Sequence, residues 1–341
     1  MKVLFIGGTG TISSAITRQL AARPEFSLYL LNRGNRSDEV PSNVTVIKAD
    51  IGDEEEVSRK LEGMEFDCVC DFIGFVPEQV ERDFRLFNGR TRQYMYISSA
   101  SAYDKPAKSH IITEGTALAN PHWEYSRNKI ACEDVLMRHY REDGFPVTII
   151  RPSHTYCERS IPVSVHGRKG SWQVLKRMME GKQVLVHGDG ESLWTLTCNE
   201  DFARGFIGLI GNSHAIGEAF QIMSDETLTW NQIYQTVADA LGVEYKPYYV
   251  SSSYLDALAP EGYDLEGNLT GDKAVCVVFD CSKLKRAVPE FHTGIRFAQG
   301  CRAALKHILA HPELQEEDPE FDQWCDKVIS TLEETKRAWK K

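Results

Sequence analysis

Tyr125 and Lys129 stand four residues apart in a stretch, Trp123–Arg141, whose spacing predicts a helix. Both side chains then share one helical face and can point at one ligand. A cation held near a phenol lowers its pKa from about 10 towards working pH, giving a usable acid or base. Upstream, Tyr96-Ile97-Ser98-Ser99-Ala100-Ser101-Ala102-Tyr103 closes a predicted strand, Arg92–Ser98, in hydroxyls. A serine at such a strand end can hold a substrate oxygen while its proton moves. A Tyr-x-x-x-Lys pair alone carries little, because such pairs occur by chance on many helices.

Its weight comes from the start of the chain, Gly7-Gly8-Thr9-Gly10-Thr11-Ile12-Ser13. This run follows an apolar strand, Lys2–Ile6, and opens a helix, Ser14–Ala22, which is the setting a dinucleotide turn requires. Gly7 permits the tight turn and Gly10 lets the backbone approach a pyrophosphate, with the amides of Thr11 and Ile12 binding the anion. The seventh place, usually glycine for helix–strand packing, is Ser13, whose hydroxyl is expected to cap the helix start. At the end of the second strand, Leu31-Asn32-Arg33-Gly34-Asn35-Arg36, no acid appears before Asp38. An acid there would hold the ribose 2′-hydroxyl of NAD, whereas Arg33 or Arg36 accommodates the 2′-phosphate of NADP. The cofactor is therefore NAD or NADP, with NADP favoured. Asp50-Ile51, after the third strand, is placed to receive the adenine amino group.

These residues need a scaffold that brings strand ends together. Short β-branched runs at Lys2–Ile6, Ser27–Leu31, Val44–Lys48, Asp67–Asp71, Arg92–Ser98 and Val147–Ile150 alternate with helical patterns at Ser14–Ala22, Glu54–Leu61, Glu78–Phe87 and Trp123–Arg141. That alternation predicts an α/β fold, a doubly wound parallel sheet with helices on both faces. The expected organisation is a dinucleotide-binding domain over 1–155, with returning segments near 183–225, and a smaller mixed substrate domain over 156–341. Its expected helices are Trp172–Glu180, Glu200–Ile210, Trp230–Leu241 with Thr229 as N-cap, 296–310 and 318–339, with strands at Gln183–Val186, Ala219–Ile222 and Ala274–Phe279.

The 341 residues carry a net charge of −10, with 42% hydrophobic and 26% charged residues, an ordinary globular balance. The charge opposes binding to phosphate backbones. Arg82, Arg85, Arg90 and Arg92 read as a solvated face. Nine cysteines without a Cys-x-x-Cys pair argue for reduced thiols in a cytoplasm, with no metal site, and Cys68 and Cys70 for a core role. No signal peptide is read at the start, and no run reaches the roughly 20 apolar residues of a membrane span.

Taken together, the glycine turn, the serine-rich strand end, Tyr125 with Lys129, and Arg151-Pro152-Ser153-His154-Thr155-Tyr156 resemble the extended short-chain dehydrogenase/reductase superfamily of sugar-nucleotide epimerases and dehydratases, over nearly the whole chain. The resemblance implies a Rossmann-type fold, Tyr125 as acid/base, Lys129 on the nicotinamide ribose, and Ser99 orienting the substrate. It places Pro152 beside the nicotinamide, with Tyr103, His154 and Tyr156 as substrate residues. Trp123, Trp172, Trp194, His122 and Arg168 are candidates for lining the pocket, Arg168 and Trp194 foremost, by their chemistry. A homodimer through the Tyr125 helix and its neighbour near 78–87 is also implied. Dehydratases of this group carry an Asp-Glu pair after the catalytic hydroxyl; here Ala100 and Ser101 stand there, which disfavours dehydration. Asp71-Phe72-Ile73-Gly74-Phe75, Asn32-Arg33-Gly34 and Gly188-Asp189-Gly190 are similar to the chloroplast stem-loop-binding branch. The expected activity is an NAD(P)-dependent oxidoreductase or epimerase on a hydroxyl or keto carbon of a sugar or sugar nucleotide. The alternative is an RNA-binding or regulatory protein that keeps the fold.

Overall fold

The apolar runs of the first half form strands β1 (Lys2–Ile6), β2 (Ser27–Asn32), β3 (Thr45–Lys48), β4 (Cys68–Asp71) and β5 (Tyr94–Ile97) in the computed structural model, which describes residues 1–34 and 40–341. Helices α1 (Ser13–Ala21), α2 (Glu54–Lys60), α3 (Pro77–Phe87) and α4 (Glu124–Asp143) intervene, and β6 (Ile111–Ile112) and β7 (Val147–Pro152) complete this half. The second half runs β8 (His154–Tyr156), α5 (Trp172–Met179), β9 (Val184–His187), β10 (Leu193–Cys198), α6 (Asn199–Leu209), β11 (Ala219–Ile222), β12 (Thr227–Thr229), α7 (Trp230–Leu241), β13 (Pro247–Val250) and α8 (Ser252–Ala257). A π-helix at Glu266–Lys273 follows, then β14 (Val278–Phe279), α9 (Ser282–Ala287), α10 (Phe297–Ala310) and α11 (Pro319–Trp339).

Seven strands make one parallel sheet in the order β11-β7-β5-β4-β1-β2-β3. The chain leaves β1 in one direction and returns to β4 on the other side. That reversal opens a crevice at the carboxyl ends of β1 and β4, where ligands of doubly wound sheets bind. Strand periodicity explains the two covered faces. Val3, Phe5, Cys68, Cys70 and Met95 pack with α1 and α6 on one face. Their alternates Leu4, Ile6, Val69, Tyr94 and Tyr96 pack beneath α2, α3 and α4 on the other. Cys68 and Cys70 are buried thiols with sulfurs 3.6 Å apart, and all nine cysteines are unpaired.

The second half gathers its own apolar cluster around Trp230, Tyr234, Leu305, Phe321 and Trp324. Thr229 caps α7 as expected, its hydroxyl accepting from Gln232 N while the Gln232 side chain returns the bond. Within 183–225 only β11 joins the large sheet; β10 pairs with β8 and β12, and β9 with β13. The expected strand Ala274–Phe279 shortens to β14, because its partner β6 is only two residues long, Val278 and Phe279 pairing with Ile111 and Ile112. Among the described residues no helix is long and apolar enough to cross a membrane.

Candidate active site

The first turn is built as its glycines require. Gly7 has φ of +83°, and a Cβ there would come within 2.7 Å of Ile73 Cγ2. Above Gly10 the nearest atom to such a Cβ is Ser13 Oγ at 3.5 Å, so the backbone faces open space. Ser13 does not cap α1. Its hydroxyl accepts from Gly10 N at 2.9 Å and donates to Gly7 O at 2.9 Å, tying the turn together from inside the helix. The residue is 1% exposed, so the position stays a packing position with a hydroxyl added.

From this turn a cavity of about 1000 Å³ runs across the strand ends. Gly7, Gly10, Thr11 and Ile12 form its floor, and Asn32, Arg33, Asp50 and Ile51 line one end. Lys129 and Pro152 line the other. The Asn32 amide oxygen is occupied by Gly34 N at 2.9 Å, and Asp50 likewise accepts from Gly52 N. Exposed Arg33 lines this end of the cavity, with the Lys48 side chain against Gly34 beside it, while Arg36 and Asp38 lie outside the described residues. An open glycine turn, free-facing backbone and a long crevice fit a dinucleotide. Arg82 also reaches this cavity, but it is buried rather than solvated. Its guanidinium grips Asp83 through Nε and Nη2, and burial pushes the Asp83 carboxyl up to about 8.

Ser99 follows β5, and Tyr125 and Lys129 lie on the first turns of α4, all on the wall of this cavity. Lys129 is 2% exposed and donates to Gly74 O at 2.6 Å and Ile97 O at 2.7 Å. Burial lowers its ammonium to about 8, with Asp71 acting in the opposite direction. Its nitrogen sits 5.8 Å from the Tyr125 ring centre. Sequence logic expects the cation to depress the phenol, yet burial dominates and raises Tyr125 above its ordinary value, with only a hydrogen bond to Ser99 opposing. Ser99 is fixed in turn by Ser101, its Oγ lying 2.9 Å from Ser101 Oγ and accepting from Ser101 N. Ser126 donates to Ser101 Oγ at 2.7 Å, and Asn120 donates to Ser101 O at 2.8 Å.

Ser99, Tyr125, Pro152, Ser153 and His154 also form the wall of a second chamber of about 290 Å³. Trp123, Trp194, His166, Asp272 and Lys273 enclose it. Of the expected substrate residues, His154 and Trp194 are here. Tyr103 and Tyr156 are not: Tyr103 is buried, donating to Gln221 Oε1 and stacked on Arg151, and Tyr156 packs on Phe297 and Gly300. Arg168 lies at the surface on Tyr263 and Glu261, and His122 pairs with Glu266. Trp172 belongs to the second core. His166, Asn268, Asp272 and Lys273 had no motif to mark them; the segment Glu266-Gly-Asn-Leu-Thr-Gly-Asp-Lys273 reads as a polar loop and is instead π-helical. π-helices gather at functional sites. Among the described residues no group of three His, Cys, Asp or Glu side chains forms a metal site.

Known proteins resemble this chain in sequence and in fold. The family model of the NAD dependent epimerase/dehydratase family matches residues 3–222. The chain is 23% identical to the 2'-dehydrokanamycin reductase of Streptomyces kanamyceticus, over 85% of this chain and 80% of that one. It is 26% identical to the chloroplast stem-loop binding protein of 41 kDa b of Arabidopsis thaliana, over 72% of this chain and 66% of that one. The UDP-glucuronic acid 4-epimerase of Bacillus cereus, solved with UDP-glucuronic acid and NAD, shares the fold with a TM-score of 0.72 at 18% identity, covering 91% and 99%. With 220 consecutive residues matched (3 to 222) out of 341, this chain belongs to the NAD-dependent epimerase/dehydratase family.

Proposed function

We propose that this protein is an NAD(P)-dependent oxidoreductase acting on a hydroxyl or keto carbon of a sugar-type substrate, with Tyr125 as its proton donor and acceptor. The observation that carries this is the position of Ser99, Tyr125 and Lys129, where the dinucleotide-sized cavity meets the smaller chamber. A substrate in the smaller chamber puts its reacting oxygen against Ser99 Oγ and the Tyr125 hydroxyl. Burial keeps Tyr125 protonated at neutral pH, so its ready role is to give a proton to the oxygen of a keto group as that carbon is reduced. In the reverse direction the same oxygen takes the proton from a hydroxyl, and the Lys129 charge favours the phenolate this creates. The nicotinamide, when bound, supplies or accepts the hydride. Gly7, Gly10, Thr11, Ile12 and Asp50 would hold the dinucleotide, and Arg33 beside Asn32 favours a 2′-phosphate, hence NADP.

The Streptomyces relative named as a reductase supports the reductive direction. Epimerisation uses the same residues, with hydride returned to the opposite face. Dehydration is disfavoured because Ala100 and Ser101 supply no general acid. Tyr125→Phe is expected to lower turnover about 10²- to 10⁴-fold while dinucleotide binding persists. Nicotinamide absorbance with a panel of sugars and sugar nucleotides measures it. Turnover within a few fold of the wild type would sink the assignment of Tyr125.

A further inference from the structure

Lys273 is held with unusual care. Its backbone carbonyl, at the end of the π-helix, accepts from Trp230 Nε1 at 3.0 Å and Ser192 Oγ at 3.1 Å, with His187 Nε2 at 3.2 Å. The side chain is 5% exposed and lies on the wall of the smaller chamber. Two of its three N–H donors go to neutral acceptors, Ser164 O at 3.2 Å and Asn268 Oδ1 at 3.4 Å. One donor is left over.

The charges around it do not balance. Asp272 is the carboxylate of this wall, and Lys105 Nζ already lies 3.6 Å from its Oδ1. Lys273 makes no ion pair among the described residues. His154 and His166 share the wall, and burial, reinforced by the Lys273 charge, lowers them to about 3 and about 4, so both are neutral at pH 7. Two lysines against one aspartate leave one buried positive charge uncompensated, which is costly unless a partner arrives.

We propose that Lys273 binds a carboxylate, so that the substrate is a single-ring acidic sugar. This rests on the reading that the chamber beside Tyr125 holds the substrate. The arithmetic selects a monoanion: one spare positive charge with one spare donor suits a carboxylate, whereas a phosphate dianion would need more of both. At about 290 Å³ the chamber lies at the small end of ligand pockets and suits one ring rather than a sugar with its nucleotide. A polycationic sugar would meet the uncompensated ammonium.

The test is calorimetric binding of D-glucuronate, D-glucose and D-glucose 6-phosphate to the full chain, without and with NADP. Wild type is expected to bind glucuronate about tenfold or more tightly than glucose, the scale of a hydrogen bond to a charged group. Lys273→Met should bring that ratio towards one. Equal affinities, a preference for the 6-phosphate, a ratio unchanged in Lys273→Met, or no binding of any of the three would overturn the proposal. Glucuronate preference without hydride transfer to any of the sugars would support the subsite and overturn the oxidoreductase reading instead.

Discussion

At the scale of residues, Tyr125 and Lys129 are tuned mainly by burial. Lys129 is lowered to about 8 while Tyr125 is raised, so on raising the pH the first proton to leave this pair is that of the lysine. The sign for folding follows from the same shift. An unfolded lysine titrates near 10.4, so between pH 8 and that value the unfolded chain binds the extra proton, and the Lys129 contribution to stability becomes more favourable as pH rises. Below pH 8 the fold carries the full cost of a buried ammonium, a cost kept for the charge it places beside the phenol. NMR of protein labelled at the lysine ε-carbon should show depressed titrations near pH 8, one of which disappears in Lys129→Met. Titration of every lysine above pH 10 would contradict this account of the site. Lys273, also lowered to about 8 by burial, is the other depressed resonance, and Lys273→Met removes it.

At the scale of elements, the π-helix closes the smaller chamber by packing its glycines against the start of α4. A Cβ at Gly267 would come within 2.2 Å of Trp123 Cδ1, and Asn120 holds Gly271 O at 2.7 Å while also holding Ser101 O. Asn120 therefore ties the chamber wall to the hydroxyl network behind Ser99. Gly267→Ala should displace Trp123 from the wall, raising KM several-fold with less effect on kcat, and should shift tryptophan fluorescence. An unchanged KM and spectrum would show that the helix tolerates the methyl group by moving elsewhere. The sequence offered no warning of this element. A π-helix has no apolar periodicity of its own, and Glu266–Lys273 carries two glycines that read as loop punctuation. The first-half strands were legible for the opposite reason: β1, β4, β5 and β7 are buried runs between helices with a clear period, and α7 announced itself through the Thr229 and Gln232 capping box. Ser13 shows a middle case, the residue type being readable as a small packing residue but its bonds to Gly10 and Gly7 depending on the folded turn.

At the scale of the molecule, one sheet collects the chemistry of distant segments. The lining of the long cavity, from Gly7 to Pro152, was legible because strand ends of a parallel sheet converge by topology. The smaller chamber was legible in part: His154 and Trp194 lie there as expected, but Tyr103, Tyr156 and Arg168 turn into cores or the surface, and Lys273 arrives from far down the chain. A net charge of −10 and the pairing of Arg82, Arg85 and Arg92 with Asp83, Glu54 and Asp67 argue against a phosphate-binding surface on that face, despite the stem-loop-binding relative. The long cavity is proposed to bind a dinucleotide beside Tyr125. Fluorescence titration of the purified protein with NADPH and NADH tests it most directly. The account predicts saturable one-to-one binding within the micromolar-to-millimolar range usual for enzymes, tighter for NADPH, with that preference lost in Arg33→Ala. Failure of both dinucleotides to bind, with structured RNA bound instead along a steep negative salt slope, would contradict it.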